Sequence, residues 1–92
     1  MKIPKSFDPW YTNGRNLGVP IGTADAYIAA GATAVLEGRT ITLSAPGGAR
    51  FVGARFVTTI HLFARSKAAK WINEFNTRSD TRRRAEQEAL SR

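Results

Sequence analysis

The last third of the sequence carries most of its basic residues. Eight of the fourteen Lys and Arg residues lie in the last 28 positions: Arg65, Lys67, Lys70, Arg78, Arg82, Arg83, Arg84 and Arg92. Clustered cations suit phosphate groups, because each neutralised phosphate releases counterions and the gains add over contacts. The formal net charge of +7 also favours a polyanionic partner. We predict that all of these residues except Arg65 and Arg92 contact DNA or RNA.

The stretch GARFVGARFV in the middle of the chain repeats itself after five residues. In a strand, an odd repeat places Phe51 and Phe56 on opposite faces unless one residue is absorbed. Gly53 lies where a bulge would absorb it. Both phenylalanines then enter the core, and Arg50 and Arg55 share the outer face. We predict nucleic-acid contacts for these two arginines as well.

The run that contains this repeat, residues 49–64, is longer than an ordinary strand, so a break is expected at its glycine. With a bulge, the side chains that point to the core are Phe51, Phe56, Ile60 and Leu62. Those on the outer face are Arg50, Arg55, Thr59 and His61, beside Thr40, Thr42 and Ser44. A tight turn would instead give two strands, and either arrangement yields three or four antiparallel strands.

Catalytic and metal-binding patterns are sparse. The chain has one histidine, His61, and no carboxylate is an evident partner for it. A small ribonuclease that uses His61 with an arginine is therefore the weakest of the functions considered. We predict no enzyme, cofactor, metal site or small-molecule substrate. The absence of cysteine and of long apolar runs predicts a cytoplasmic protein without disulfides, signal peptide or membrane contact.

The first 22 residues contain three of the four prolines and several Gly and Asn residues, a composition typical of an irregular arm. The aromatic residues of this arm need a surface to pack against. In one interpretation FDPWY covers the core of its own domain, and in the other Trp10 and Tyr11 bind a partner. We assign both residues as partner contacts on the second interpretation.

Residues 23–76 are predicted to form an α+β core. Thr23 is a candidate N-cap for a short helix that Gly31 ends, and ATAVLE and RTITLSA form a hairpin around Gly38. Ser66 is a candidate cap for SKAAKWINEFN, whose apolar residues have helical spacing. This main helix packs against the sheet. Residues 77–92 form either a solvated helical extension or a tail that orders on a partner.

Residues 61–76, HLFARSKAAKWINEFN, resemble the junction of the last strand and the helix in the arm-type DNA-binding domains of phage integrases. SKAAK is also similar to the start of the second helix in double-stranded-RNA-binding domains, where lysines meet phosphates. Both resemblances cover about residues 39–76. They imply that the outer face of the sheet, with Arg39, or the N-terminus of the helix contacts nucleic acid.

These observations favour a small basic protein, encoded by a phage or mobile element, that binds nucleic acid or a nucleoprotein without catalysis. An alternative is an inhibitor of a host nucleoprotein complex that docks mainly through protein contacts. In overall style the sequence resembles the small anti-CRISPR proteins of phages, which block such complexes.

Overall fold

The computed structural model describes residues 7–47 and 53–90, the last two of them by their backbone only. Its elements, in chain order, are α1 (Pro9–Asn16), α2 (Ile21–Ala29), β1 (Thr33–Glu37), β2 (Thr40–Ser44), β3 (Arg55–Thr59), a 3₁₀ turn (Leu62–Ala64) and α3 (Arg65–Leu90). The strands form one antiparallel sheet in the order β1-β2-β3. The predicted α+β class, with one main helix and a short N-terminal helix, is confirmed.

The predicted hairpin is present, with β1 and β2 joined at Gly38, whose φ of 60° lies in the left-handed region. Ile41 and Leu43 are fully buried and face the helices. Alternation along β2 places Thr40, Thr42 and Ser44 on the outer face, as predicted.

The third strand begins at Arg55, pairs with β2 and shares its alternation. Phe56 lies opposite Leu43 and is partly buried against the core, whereas Val57 lies opposite Thr42 and is exposed. The predictions for Arg50 and Phe51 fall outside the described residues, so the Gly53 bulge stays a prediction.

The chain leaves the sheet after β3, which changes where its apolar residues point. Ile60 is buried, as predicted, and its N–H still donates to the carbonyl of Arg39. Leu62 was predicted to enter the core, but its exposed fraction is 54%. The alternation fails there because Leu62 begins the 3₁₀ turn, whose period is three residues rather than two.

Residues 1–22 were predicted to be irregular, and that is wrong for Pro9–Asn16, which form α1. The Asp8 carboxylate caps this helix by accepting from the Trp10 N–H at 2.8 Å, and Pro9 occupies its first turn. Both residue types favour a helix start. Gly14 is needed for packing, because a Cβ there would lie 2.8 Å from Trp71 Nε1.

The second helix begins earlier than predicted. Its first residue is Ile21 and Pro20 is the N-cap, so Thr23 lies inside the helix and the predicted cap is wrong. Proline suits this place because its fixed φ matches the chain entering the helix. The predicted end is confirmed, since Gly31 follows the helix with a φ of 73°.

The main helix, α3, runs for 26 residues and begins at Arg65. Ser66 is therefore its second residue, and the predicted cap is wrong because the 3₁₀ turn leads directly into the helix. The predicted inner face is confirmed by the buried side chains Ala68, Trp71, Ile72 and Phe75. Residues 77–90 continue the same helix, as in the first of the two alternatives for this segment.

Two polar side chains of α3 bind the backbone of β1 and its approach. Asn76 accepts from the Ala34 N–H at 2.8 Å and donates to the Ala34 carbonyl at 3.1 Å. Ser79, fully buried, donates to the Ala32 carbonyl at 2.7 Å. The amide of Asn76 thus takes the place of a neighbouring strand at the edge of β1.

Candidate nucleic-acid interface

A cleft lies between α1 and the first turns of α3. It is lined by Trp10, Asn13, Ser66, Lys67, Lys70, Trp71 and Glu74 and has a volume of about 380 Å³. Two ammonium groups, a hydroxyl and an amide can all donate hydrogen bonds to phosphate oxygens. The predicted contacts Lys67 and Lys70 therefore lie together, exposed, at the start of α3.

A pair of stacked tryptophans fixes the two walls of this cleft. The rings of Trp10 and Trp71 are 5.0 Å apart and inclined by 6°. Each indole N–H donates to the main-chain carbonyl of the other residue, and both bonds measure 3.1 Å. This reciprocal contact joins α1 to α3 and so sets where Asn13 lies relative to Lys70.

Trp10 and Tyr11 were assigned as partner contacts, but their side chains are packed inside the protein, although Trp10 also contributes to the wall of the cleft. Both are buried in the core, as in the interpretation that this segment covers its own domain. The hydroxyl of Tyr11 donates to Asp25, so its polar end is also satisfied inside the protein. The assignment fails because α1 presents these rings to Trp71 and α2 rather than to solvent.

The environment of Tyr11 makes the free energy of unfolding decrease at alkaline pH. Burial, followed by the hydrogen bond and negative charge of Asp25, raises the pKa of Tyr11 from 10.0 to about 12. The folded state thus binds a proton that the unfolded state loses first, and the contribution present below pH 10 is lost as pH rises towards 12.

We predict that the wild-type protein loses about 1 kcal/mol of unfolding free energy through this group between pH 9 and pH 11. Tyr11→Phe removes that part of the pH dependence, while other groups that titrate there act equally on both proteins. Urea unfolding at both pH values measures the difference. Parallel pH profiles for the two proteins would contradict the prediction.

Arg78 was predicted to bind phosphate, but its guanidinium makes contacts within the protein. It lies 4.2 Å from the Trp10 ring centroid and forms ion pairs with Asp8 at 3.2 Å and with Glu74 at 3.3 Å. Burial opposes its positive charge, but the bonds to Asp8 and Glu74 outweigh burial and raise the pKa of Arg78. Glu74 therefore points its carboxylate at Arg78 as well as lining the cleft.

The predicted cluster TRRR does not form one surface. Arg82 forms an ion pair with Glu86 at 3.8 Å and Arg83 with Asp80 at 2.5 Å, and Arg84 is exposed. Successive helix residues are about 100° apart, so the three arginines point in different directions. The side chain of Arg83 also covers Gly31, where an added Cβ would meet it at 2.8 Å.

These arginines also lie far from the cleft. Fifteen residues separate Lys67 from Arg82 along α3, which corresponds to about 22 Å of helix. The structure therefore brings Lys67 and Lys70 together but does not bring the last arginines to them.

Among the residues of β1, β2 and β3, the outer face of the sheet is uncharged except at two corners. Arg55 lies exposed at one end, beside Ser44, and Glu37 at the other, beside Thr40. Val35 and Val57 flank Thr42 across the middle and are about half exposed. About 13 Å of β3 separates Arg55 from Thr59, the end nearest α3. Nucleic-acid contact by Arg55 stays a prediction.

His61 caps the start of the 3₁₀ turn instead of lying on a strand. Its Nδ1 accepts from the Phe63 N–H at 3.3 Å, and its ring lies 5.3 Å from the Phe63 ring. Phe63 and Asn13 were not predicted as site residues. The run of Leu62 and Phe63 directly before basic residues was the available signal, but strand alternation concealed it.

Within residues 7–47 and 53–90, no three His, Asp or Glu side chains are grouped as a metal ion would require. Nor does any helix in this part of the chain have both the length and the apolar character needed to cross a membrane. Comparison with protein-family models, with curated proteins and with solved structures found no match to this chain.

Proposed function

We propose that this is a non-enzymatic nucleic-acid-binding protein whose contact surface is the start of α3. We call this the α3-start surface, made of Ser66, Lys67, Lys70 and, from α1, Asn13, which line the same cleft. One observation carries the proposal. Among the described residues, the two lysines that share this cleft have no carboxylate partner, whereas three of the four arginines farther along α3, Arg78, Arg82 and Arg83, each have one.

The difference matters because phosphate binding competes with existing ion pairs. A cation without a carboxylate partner neutralises a phosphate and releases its counterion at no internal cost. A paired arginine has to share its charge with the carboxylate already beside it. The N-terminal end of a long helix adds partial positive charge at the same place, which further favours anions.

The lysines should account for a measurable part of binding. We expect the double variant Lys67→Ala/Lys70→Ala to bind a labelled single-stranded oligonucleotide more weakly and to show a smaller salt dependence. The slope of log K against log salt should fall by about 1.4, the value for two lost phosphate contacts on a single strand. Fluorescence anisotropy across a salt titration measures both quantities.

The matched control is Arg82→Ala/Arg83→Ala, which removes the same charge from the far half of the same helix. We expect its salt slope to change by less than half as much. Equal slopes for the two double variants would reject the α3-start surface as the contact site. Wild-type binding no tighter than about 10⁻⁴ M at physiological salt would reject nucleic-acid recognition itself, and docking on a protein would then be the function to test.

A further inference from the structure

We propose that Phe63 is a stacking platform for an unpaired base, so that the protein prefers single-stranded nucleic acid to a blunt duplex. This inference rests on the proposed function and names its class of ligand. The 3₁₀ turn that carries Phe63 leads directly into the α3-start surface, so a base on this ring would have its phosphates beside cations.

The 3₁₀ turn exposes two large apolar side chains of types that are usually buried. The exposed fraction of Phe63 is 88%, the largest among the bulky apolar side chains that the structure describes, and that of adjacent Leu62 is 54%. The residues on either side are held by the protein, since Ile60 is buried and Ala64 packs against the core. The phenyl ring therefore projects from a backbone segment that is anchored on both sides.

The ring is also supported on one side. His61 and Phe63 are inclined by 29° with their centroids 5.3 Å apart, a stacked arrangement. The Phe63 N–H donates to His61 Nδ1, and the Ala64 N–H donates to the His61 carbonyl at 2.9 Å. These bonds order the turn before any ligand binds, which reduces the entropy lost on stacking a base.

Charge around the turn suits a nucleic-acid strand. Arg65 and Lys67 follow Phe63 by two and four residues and are exposed, and the sequence contains no acidic residue from His61 to Asn73. Arg39 adds a cation, because its Nε donates to the Ile60 carbonyl at 2.9 Å. Aromatic rings bordered by cations bind single strands with little sequence preference, since every base has a π face.

The preference for single strands follows from what the ring can reach. Bases inside a duplex are stacked on their neighbours and have no free face, whereas an unpaired base has one. Exposed phenylalanine and leucine beside cations would also suit an anionic bilayer surface. The lysines of the α3-start surface offer phosphate contacts to both strand forms, so Phe63 should be the residue that discriminates.

The test compares a labelled oligo(dT) of about 12 nucleotides with a blunt duplex of similar length by fluorescence anisotropy. We expect Phe63→Ala to weaken single-strand binding about tenfold and duplex binding less than twofold. Its salt slope should not change, because no cation is lost. Phe63→Trp should retain the affinity, and its added fluorescence should be quenched by oligo(dT).

The matched control is Phe7→Ala, which removes another highly exposed phenylalanine, 71% exposed, from outside this turn. It should leave both affinities unchanged. Unchanged single-strand affinity in Phe63→Ala, with the Lys67/Lys70 variant still impaired, would overturn the stacking role and leave the proposed function intact. Wild type that binds neither oligonucleotide, but binds phosphatidylserine vesicles through Phe63, would overturn both.

Discussion

Replacing Trp71 by alanine is expected to lower the free energy of unfolding by about 3–5 kcal/mol. Trp71 is 2% exposed, stacks on Trp10 and lies 5.5 Å from the Phe75 ring. Its removal leaves a cavity at the junction of α1 and α3 and takes away the hydrogen bond to the Trp10 carbonyl. Small domains have only about 5–15 kcal/mol in total, so most of the stability is at risk.

Urea unfolding followed by far-ultraviolet circular dichroism measures this effect, because the signal does not depend on the deleted indole. Phe63→Ala is the control, since it removes an aromatic ring that is 88% exposed and stacks only on the His61 ring among the described aromatic contacts. Its unfolding free energy should lie within about 0.5 kcal/mol of the wild-type value. Similar losses in the two variants would contradict the described packing of α1 on α3.

Replacing Asn76 by leucine is expected to lower the free energy of unfolding by about 2–4 kcal/mol. The side-chain amide bonds both polar groups of Ala34, and Ala34 is buried. Leucine leaves both groups without a partner, and each buried unsatisfied group costs about 1–3 kcal/mol. It also uncovers the edge of β1, so the variant should aggregate more readily than the wild type during refolding.

Asn73→Leu provides the same chemical change one turn earlier on α3, where the side chain is exposed. Its stability should remain within about 0.5 kcal/mol of the wild type. Urea midpoints and light scattering on refolding compare the two variants. If both lose the same stability, the amide of Asn76 does not serve as the edge partner of β1.

Local patterns in the sequence were sufficient for the hairpin and for the inner face of α3. Ile41 and Leu43 alternate with hydroxyl residues, and Trp71 and Phe75 recur at helical spacing. These periodicities arise because one face of each element is buried. A single glycine, Gly38, marks the turn between the two strands.

Other elements depended on contacts that sequence order does not reveal. Residues Pro9–Asn16 have a loop-like composition, and they form a helix whose glycine fits against Trp71, 57 positions later in the chain. Leu62 and Phe63 continued an alternating pattern, but the chain had already left the sheet. The bonds between Asn76 and Ala34 join residues 42 positions apart, so no local pattern could predict them.

The candidate site was likewise predictable only in part from the sequence. Clustering of basic residues was visible in the sequence, but which cations are paired depends partly on the fold. The i,i+4 pairs of Arg82 with Glu86 and of Arg78 with Glu74 follow from helical spacing. The pair of Arg78 with Asp8 joins positions 70 residues apart and could not be predicted. The lysines at the start of α3 are recognised as unpaired only once the ion pairs of the other α3 cations are known.

The most direct test is a titration of the ¹⁵N-labelled protein with unlabelled oligo(dT), observed through its backbone amide resonances. If the start of α3 binds nucleic acid, the largest shifts should fall on residues 61–70 and on Asn13, with small changes at residues 80–88. Shifts concentrated at Arg82, Arg83 and Arg84, with residues 61–70 unchanged, would contradict this account.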